Sequence, residues 1–390
     1  MFVPTLLGVD LTAYSVATSI FECFGLKSYA FGRYRCGISY YSGLLDTYEN
    51  PRLLETDVAK TLLLSFAKEQ KNPCLLVPTT DWYVDLALRL APYLPPTFMV
   101  AAPQREQFYG LSRKEGFYSA LDSFGISHPQ TELFTVGECI TVKDFPVIIK
   151  PSCSFDMIKR PFAGQKKIYI VEGPEELERV LALLLLYHKG MRYLIQPYLK
   201  ARRSFVLTVF SQKEFGVRCA SLAEVALEEI GDSARGNYCA LLVRDLTDTA
   251  GRLIDFCNQI GYEGIANFDI IETEMGEFVL DMNMRVGRSV DYLRGAGFRV
   301  ADFLLKSQNR SYPYPMKFSY VPVFWRSVSD KEILRNCPER LKGEIRDRIR
   351  RGFATSPYDT GMRRIPLREK SYHLIHLLRA SRATSLAYRK

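Results

Sequence analysis

The run Asp281-Met282-Asn283-Met284-Arg285 sets a carboxylate, an amide and a guanidinium at intervals of two, the spacing that puts side chains on one face of a β-strand. Upstream, Asn267-Phe268-Asp269-Ile270-Ile271 alternates in the same way, and Thr273-Glu274-Met275-Gly276 between the runs is turn-like. A hairpin centred near Met275 is therefore expected, with Asp269 directly across from Asp281. Strand parity assigns Phe278, Leu280, Met282 and Met284 to an apolar face together with Phe268 and Ile270, and Val279, Asp281, Asn283 and Arg285 to the other. Two facing carboxylates repel unless something neutralises them. A hard divalent cation does so, and Asn283 offers it a further oxygen. Arg285, next in the row, is placed to hold a phosphate oxygen through its planar fork. Taken alone, D-x-N-x-R is equally a solvated strand face with an Asp–Arg ion pair. Asp269 on the facing strand tips the reading toward a metal and phosphate site with Asp269, Asp281 and Asn283 as ligands.

The elements that must position these residues follow from periodicity. Residues 3–9 read as a strand, 11–24 as a helix ending at Gly25, and 27–31 as a second strand; a helix at 57–71, a strand at 74–78, a helix to 90 and a strand at 97–100 continue the alternation. This predicts a parallel, doubly wound sheet over residues 1–125. No G-x-G-x-x-G follows the first strand, which excludes the dinucleotide fingerprint. Strands at 147–150, 167–171 and 192–196 with a helix at 174–187 make a second unit, 126–203. Strand patterns at 204–210, 216–221, 238–242, 266–271 and 277–285, with helices at 249–261 and 302–307, dominate a third, 204–320. Residues 321–390 are set apart as a basic extension.

Composition limits the chemistry. The 390 residues suffice for two or three domains, with 47% hydrophobic and 24% charged residues, the balance of a folded protein. Nine scattered cysteines read as reduced thiols, and only four histidines are present, so any metal is held by oxygen, which points to magnesium or manganese. The N-terminus makes a poor signal peptide and the longest apolar run, 180–187, is far short of the ~20 residues a spanning helix needs, so a cytoplasmic protein is expected. The net charge of +9 is concentrated at the end: residues 324–390 hold 17 Lys/Arg against 7 Asp/Glu. Arg346 to Arg351 and Arg363-Arg364 suggest an anionic partner such as a pyrophosphate-bearing precursor, a membrane surface or nucleic acid, with Leu374, Ile375, Leu377 and Leu378 as an apolar stripe. A docked helix pair is the commoner explanation of such a pattern. No aromatic-interleaved motif supports a specific nucleic-acid partner.

The stretch GYEGIANFDIIETEMGEFVLDMNMRVGRS resembles the metal-binding hairpin of the ATP-grasp superfamily, in particular its carboxylate–amine ligase branch, including D-aspartate ligase-type enzymes. Upstream, FPVIIKPSCS resembles the strand that carries a nucleotide-binding lysine, here Lys150; GQKKIYIVEGPEELERV resembles the next strand and helix of a small lid domain; YLIQPYL resembles the adenine-reading hinge; and SRKEGFYSALDSFGISHPQT resembles the segment whose lysine, here Lys114, reaches the phosphates. The similarity covers residues 105–310 with the motifs in order. It implies an α/β architecture, α+β toward the C-terminus: an ATP-grasp fold with an N-terminal Rossmann-like domain, a small lid and a central antiparallel-sheet domain.

The resemblance implies ATP and Mg2+, or Mn2+, as cofactors. Lys114, Lys150, Ser152, Ser154, Lys167, Gln196, Pro197, Tyr198 and Leu199 then bind nucleotide, while Arg285, Arg288 and Asn237 act on substrate. The reaction implied is activation of a carboxylate as an acyl phosphate and its capture by an amine, adding D-aspartate or another small amino acid to a peptide or cell-wall precursor, with a homo-oligomer expected. Three departures stand out: Asp281 where the family usually has glutamate, a loop Ser152-Cys153-Ser154-Phe155-Asp156 without glycine, and Lys200-Ala201-Arg202-Arg203 after the hinge. A nucleotide-binding scaffold that has lost catalysis is the alternative they favour.

Overall fold

The computed structural model describes residues 2–229, 236–306, 315–318, 321–359 and 367–388. Its first sheet is parallel, with β1 (Val3–Leu7), β2 (Ser28–Gly32), β3 (Leu45–Glu49), β4 (Cys74–Pro78) and β5 (Phe98–Val100) in the order β3-β2-β1-β4-β5. β1 and β4 are wholly buried, which explains their unbroken apolar composition. The chain leaves β1 into the helix Leu11–Phe24, capped by Asp10, whose carboxylate accepts from the Thr12 and Ala13 N–H groups at 3.0 and 3.2 Å. It leaves β4 into the helix Asp81–Leu90. The strand order reverses between β1 and β4, so a crevice opens at their carboxyl ends. The four strands expected here are present; β3 was not expected, because its sequence LDTYE carries too little apolar alternation.

A small antiparallel sheet follows, built from β6 (Glu132–Thr135), β7 (Val147–Pro151), β8 (Tyr169–Val171) and β9 (Arg192–Pro197) in the order β6-β9-β7-β8. The helix Pro174–His188 covers it, packing Leu177, Val180 and Leu184 against Ile149, Val171 and Tyr193.

The large sheet contains β10 (Arg203–Gln212), β11 (Gly216–Glu228), β12 (Tyr238–Arg244), β13 (Gly264–Thr273), β14 (Gly276–Asn283), β15 (Phe324–Arg326) and β16 (Ala354–Thr355), in the order β14-β13-β10-β11-β12-β15-β16. It is antiparallel except for the β15–β16 pair. One face packs Phe205, Leu207, Leu222, Phe268 and Ile270 under the helices Lys114–Ser123 and Asp248–Gln259. The other face carries Val206, Ala223, Leu241 and Val243 into a core shared with the Leu11–Phe24 and Val300–Lys306 helices. Mixed helices with parallel and antiparallel sheets are thus the architecture expected from the sequence.

The basic segment is integrated into this body. It supplies β15, β16 and the helices Asp330–Asn336, Glu339–Arg350 and Leu367–Ala387. Many of its cations are paired internally. Arg348, 3% exposed, donates to the Val323 and Val243 carbonyls and meets Glu344; Arg340 reaches Glu224; Arg350 and Arg351 reach Asp347. Leu374, Ile375 and Leu378 are exposed, and Arg363 and Arg364 lie outside the described residues. Among the described residues no helix is long and apolar enough to cross a membrane.

Candidate active site

β13 and β14 form the hairpin read from the sequence, closed by Thr273 opposite Gly276. Asp269 pairs with Asp281 and Asn267 with Asn283. The ladder slips between Asp269 and Ile270, and Ile270 pairs with Val279, leaving Leu280 as an extra residue. Simple alternation put Val279 beside Asp281. The bulge instead turns Val279 inward, with Met282 and Met284 in one core, and this corrects the sequence reading. The bulged Leu280 carbonyl accepts from the Tyr118 hydroxyl at 2.8 Å, which fixes the kink next to Asp281.

Both carboxylates are held by donors. The Tyr238 hydroxyl donates to Asp269 at 2.6 Å, and Asn283 Nδ2 donates to its other oxygen at 3.2 Å. Partial burial and the facing Asp281 push the Asp269 carboxyl up to about 6. Lys114, at the first turn of its helix and only 5% exposed, sets its ammonium 3.1 Å from Asp281. Burial alone would lower that ammonium; the Asp281 carboxylate outweighs it and holds Lys114 above its ordinary value. Lys150, on β7 and 8% exposed, reaches the Tyr118 hydroxyl at 3.4 Å. Burial and the Lys114 charge push it down to about 7. Lys114, Lys150 and Asp281 thus gather around Tyr118, the two lysines buried and Asp281 partly exposed, with Asp269 facing Asp281 across the hairpin. The residue types fit a hard cation, with carboxylates at Asp269 and Asp281, while the Asn283 amide presents its nitrogen to Asp269 and its oxygen to Arg285.

Arg285 continues past the strand to the first sheet. Its guanidinium lies 3.2 Å from Asp81, at the N-terminus of the helix that leaves β4, and 3.4 Å from the Asn283 amide oxygen. Gly287 allows this path, since a Cβ there would come within 2.9 Å of Asn267, whose amide donates to the Arg285 carbonyl. Arg288 pairs with Glu229 at 2.9 Å, and Asn237 donates to the second Glu229 oxygen at 3.0 Å. Lys167 is exposed in the loop before β8; partial burial and the Arg285 charge lower its ammonium, while Asp81, Arg288 and Glu229 also act on it. Lys167 therefore stands near both ion pairs.

The remaining sequence candidates are distributed differently. Ser152 is 1% exposed and its hydroxyl donates to Glu115, so it faces inward. Ser154 is exposed at the start of a short 3-10 turn, Ser154–Lys159, anchored by Phe155 stacked on Phe108 with centroids 5.6 Å apart. Gln196 is buried and donates to the Tyr118 and Thr131 hydroxyls at 3.1 and 2.7 Å, which ties the hinge to the lysine pocket. Pro197 and Tyr198 are exposed where β9 ends, the Tyr198 N–H is taken by the Pro146 carbonyl, and Leu199 follows half-buried.

Four residues joined to the site were missed in the sequence: Tyr118, Tyr238, Asp81 and Glu229. Tyr118 lies four residues after Lys114, on the same helix face, which is a usable signal. Asp81 follows a buried strand of a doubly wound sheet, where the carboxyl ends gather ligands. Tyr238 and Glu229 carry no such mark.

No family model matches the chain. A D-aspartate ligase of Enterococcus faecium (strain Aus0004) is 27% identical over 331 residues, spanning 80% of this chain and 78% of that one. Among solved structures, the biotin carboxylase domain of Hydrogenobacter thermophilus 2-oxoglutarate carboxylase, in complex with MgADP, ADP and bicarbonate, superposes with a TM-score of 0.62 at 14% identity, covering 82% of this chain and 73% of that one. An L-amino acid ligase from Bacillus licheniformis superposes with a TM-score of 0.56 at 13% identity, covering 83% and 78%.

Proposed function

The chain has the ATP-grasp fold, and from that premise we propose that it is an ATP- and magnesium-dependent carboxylate–amine ligase, ADP-forming, that makes an amide through an acyl phosphate. The observation that carries the reading is the facing of Asp269 and Asp281 with the buried Lys114 ammonium on Asp281.

Asp269, Asp281 and Asn283 would hold a magnesium ion, which when bound would supply charge neutralisation at the ATP phosphates. Lys114, beside Asp281, and Lys150 would meet the same phosphates, and Arg285 would offer its fork to the transferring group. A substrate carboxylate oxygen attacks the γ-phosphorus and ADP leaves. An amine nitrogen then attacks the acyl carbon, phosphate leaves with the transferred oxygen, and the amine proton passes to solvent. The side chains act by positioning and by electrostatics, so no protein nucleophile is needed. The Enterococcus faecium relative supports D-aspartate as the activated acid; another small amino acid, or a dipeptide product, is the alternative.

A nucleotide-binding scaffold without turnover is the second reading, favoured by the anchored 3-10 turn that stands where a flexible glycine loop was the family expectation. One isotope experiment separates the two. With the activated carboxylate doubly labelled with 18O, the ligase delivers one labelled oxygen to the released phosphate and keeps the other in the amide. Amide formed with unlabelled phosphate removes the acyl phosphate; ATP bound with no ADP formed supports the scaffold.

A further inference from the structure

Beside the phosphate-facing residues lies a second polar group that the reaction above leaves without a task. Arg288 and Glu229 neutralise each other at 2.9 Å, with Asn237 on the second Glu229 oxygen. The end of the chain reaches this end of β11, where the Tyr388 hydroxyl donates to the Glu228 carbonyl. The Tyr358 hydroxyl is 2.8 Å from His376 Nδ1, and the Tyr372 ring centroid is 5.6 Å from the same imidazole. Tyr372 sits against Gly37, where a Cβ would come within 2.3 Å of the ring, and its ring lies 5.4 Å from that of Tyr41.

The helix Leu367–Ala387 is clamped from both sides. Glu369 is buried and accepts from the Tyr14 hydroxyl at 3.2 Å and the Gly43 N–H at 2.9 Å, both in the first sheet's layer. Ser381 accepts from the Ser329 N–H at 2.9 Å, and the Tyr388 hydroxyl donates to the Glu228 carbonyl at 2.9 Å, next to Glu229. The Arg288 charge is felt at His376, at Tyr358 and at Cys36. Burial, then Arg288, lowers the His376 imidazolium.

We propose that Arg288, Glu229, Tyr358 and His376 form the amino-acid subsite of the ligase, with Arg288 taking the substrate's α-carboxylate, Glu229 its ammonium, and His376 with Tyr358 as positioning residues. The inference rests on the ligase reading and deepens it, because it gives the C-terminal helix a part in substrate choice. A zwitterion inserted between Arg288 and Glu229 exchanges one ion pair for two of the same charge-assisted kind, so neither protein charge is left desolvated and alone. A substrate with only one charged end leaves one of them unpaired, which selects amino acids over simple acids and simple amines. The bulk of His376 and Tyr358 then sets how far apart the two ends are held.

The test uses the full chain with a panel of L- and D-amino acids. Amino-acid binding is followed by calorimetry, and ADP formation is followed separately. The tightest amino acid is expected to bind at least tenfold better than its deaminated and decarboxylated analogues. His376→Ala is expected to raise its Kd and KM at least tenfold and leave the KM for ATP within twofold, and His376→Gln to recover part of the loss. Tyr358→Phe keeps the packing and is expected to shift the same parameter in the same direction. Equal binding of the deaminated analogue, no binding by any amino acid, or unchanged amino-acid Kd in both His376→Ala and Tyr358→Phe overturns the subsite. A parallel rise in the KM for ATP overturns it too, since that is the mark of a merely structural role. Absence of amino-acid-dependent ADP formation by the native chain is a failure of the ligase reading instead; the calorimetry still decides the subsite.

Discussion

Lys150 and Lys114 enter one pocket from two elements, yet their charges are set in opposite directions. Lys114 rests on Asp281, whereas the Lys150 ammonium donates to the Tyr118 hydroxyl and is pushed down to about 7 by burial and by Lys114. A bound triphosphate reverses that penalty, because an anion at the ammonium favours its charged form. With the free-state value near 7 and the bound value above it, ATP affinity is level below pH 7 and falls as pH rises past it, with proton uptake on binding at pH 8. Calorimetry in buffers of different ionisation enthalpy reads this directly; zero proton uptake between pH 7 and 8.5 would remove Lys150 from the phosphate site. Lys150→Met is expected to raise the KM for ATP roughly tenfold or more, as loss of a charge-assisted bond does, while the Tm holds or rises because a disfavoured buried cation is gone.

The hairpin of β13 and β14 shows how far sequence reaches into this site. Period-two alternation and a turn cluster were enough to place Asp269 opposite Asp281, because register in a hairpin is set by the turn and by the buried face. The slip at Leu280 was not legible. It is held by the Tyr118 hydroxyl, a contact between residues 162 apart in sequence, and no local pattern announces it. Long-range pairing also hid Glu229, whose ion-pair partner Arg288 follows a different hairpin, whereas Tyr118 and Asp81 carried signals of spacing and strand end.

On the opposite face of the large sheet another cluster was equally invisible. Glu224, fully buried on β11, is surrounded by Arg203 of β10, Arg244 of β12 and Arg340 of the helix Glu339–Arg350. Burial would raise its carboxyl, but these three arginines together pull it down to about 2. A carboxyl depressed in the folded state contributes stability above its unfolded value near 4.5 and loses it as pH falls toward 2. Glu224→Gln, which leaves three guanidinium groups without their common counter-charge, is expected to destabilise by about 3–5 kcal/mol in denaturant titration at pH 7, with a smaller difference from the native chain near pH 2. A change below about 1 kcal/mol at pH 7 would show that solvent already serves those arginines.

At the scale of the whole molecule, the site is assembled where three sheets converge. The large sheet provides the carboxylates, the small sheet and its preceding helix provide the lysines, and the first sheet provides Asp81 beside the crevice between β1 and β4. The C-terminal segment completes the body by adding two strands to the large sheet and a helix that runs from Tyr14 to the Glu228 carbonyl. Several of its arginines are paired with Glu224, Glu344 and Asp347, partners that its charge excess alone does not reveal.

Asp281 joins all of this, since it faces Asp269, holds Lys114 and sits on the bulge that Tyr118 fixes. The most direct test compares ADP formation by the native chain and by Asp281→Asn, with magnesium-ATP and a panel of amino acids and amines. The account predicts ADP formation that requires one amino acid, stops when magnesium is chelated, and falls by at least about 100-fold in Asp281→Asn, as loss of a charge-stabilising group at phosphoryl transfer does, with the Tm within a few degrees of native. ADP formation at the native rate in Asp281→Asn, or tight ATP binding with no ADP from any combination of substrates, would contradict it.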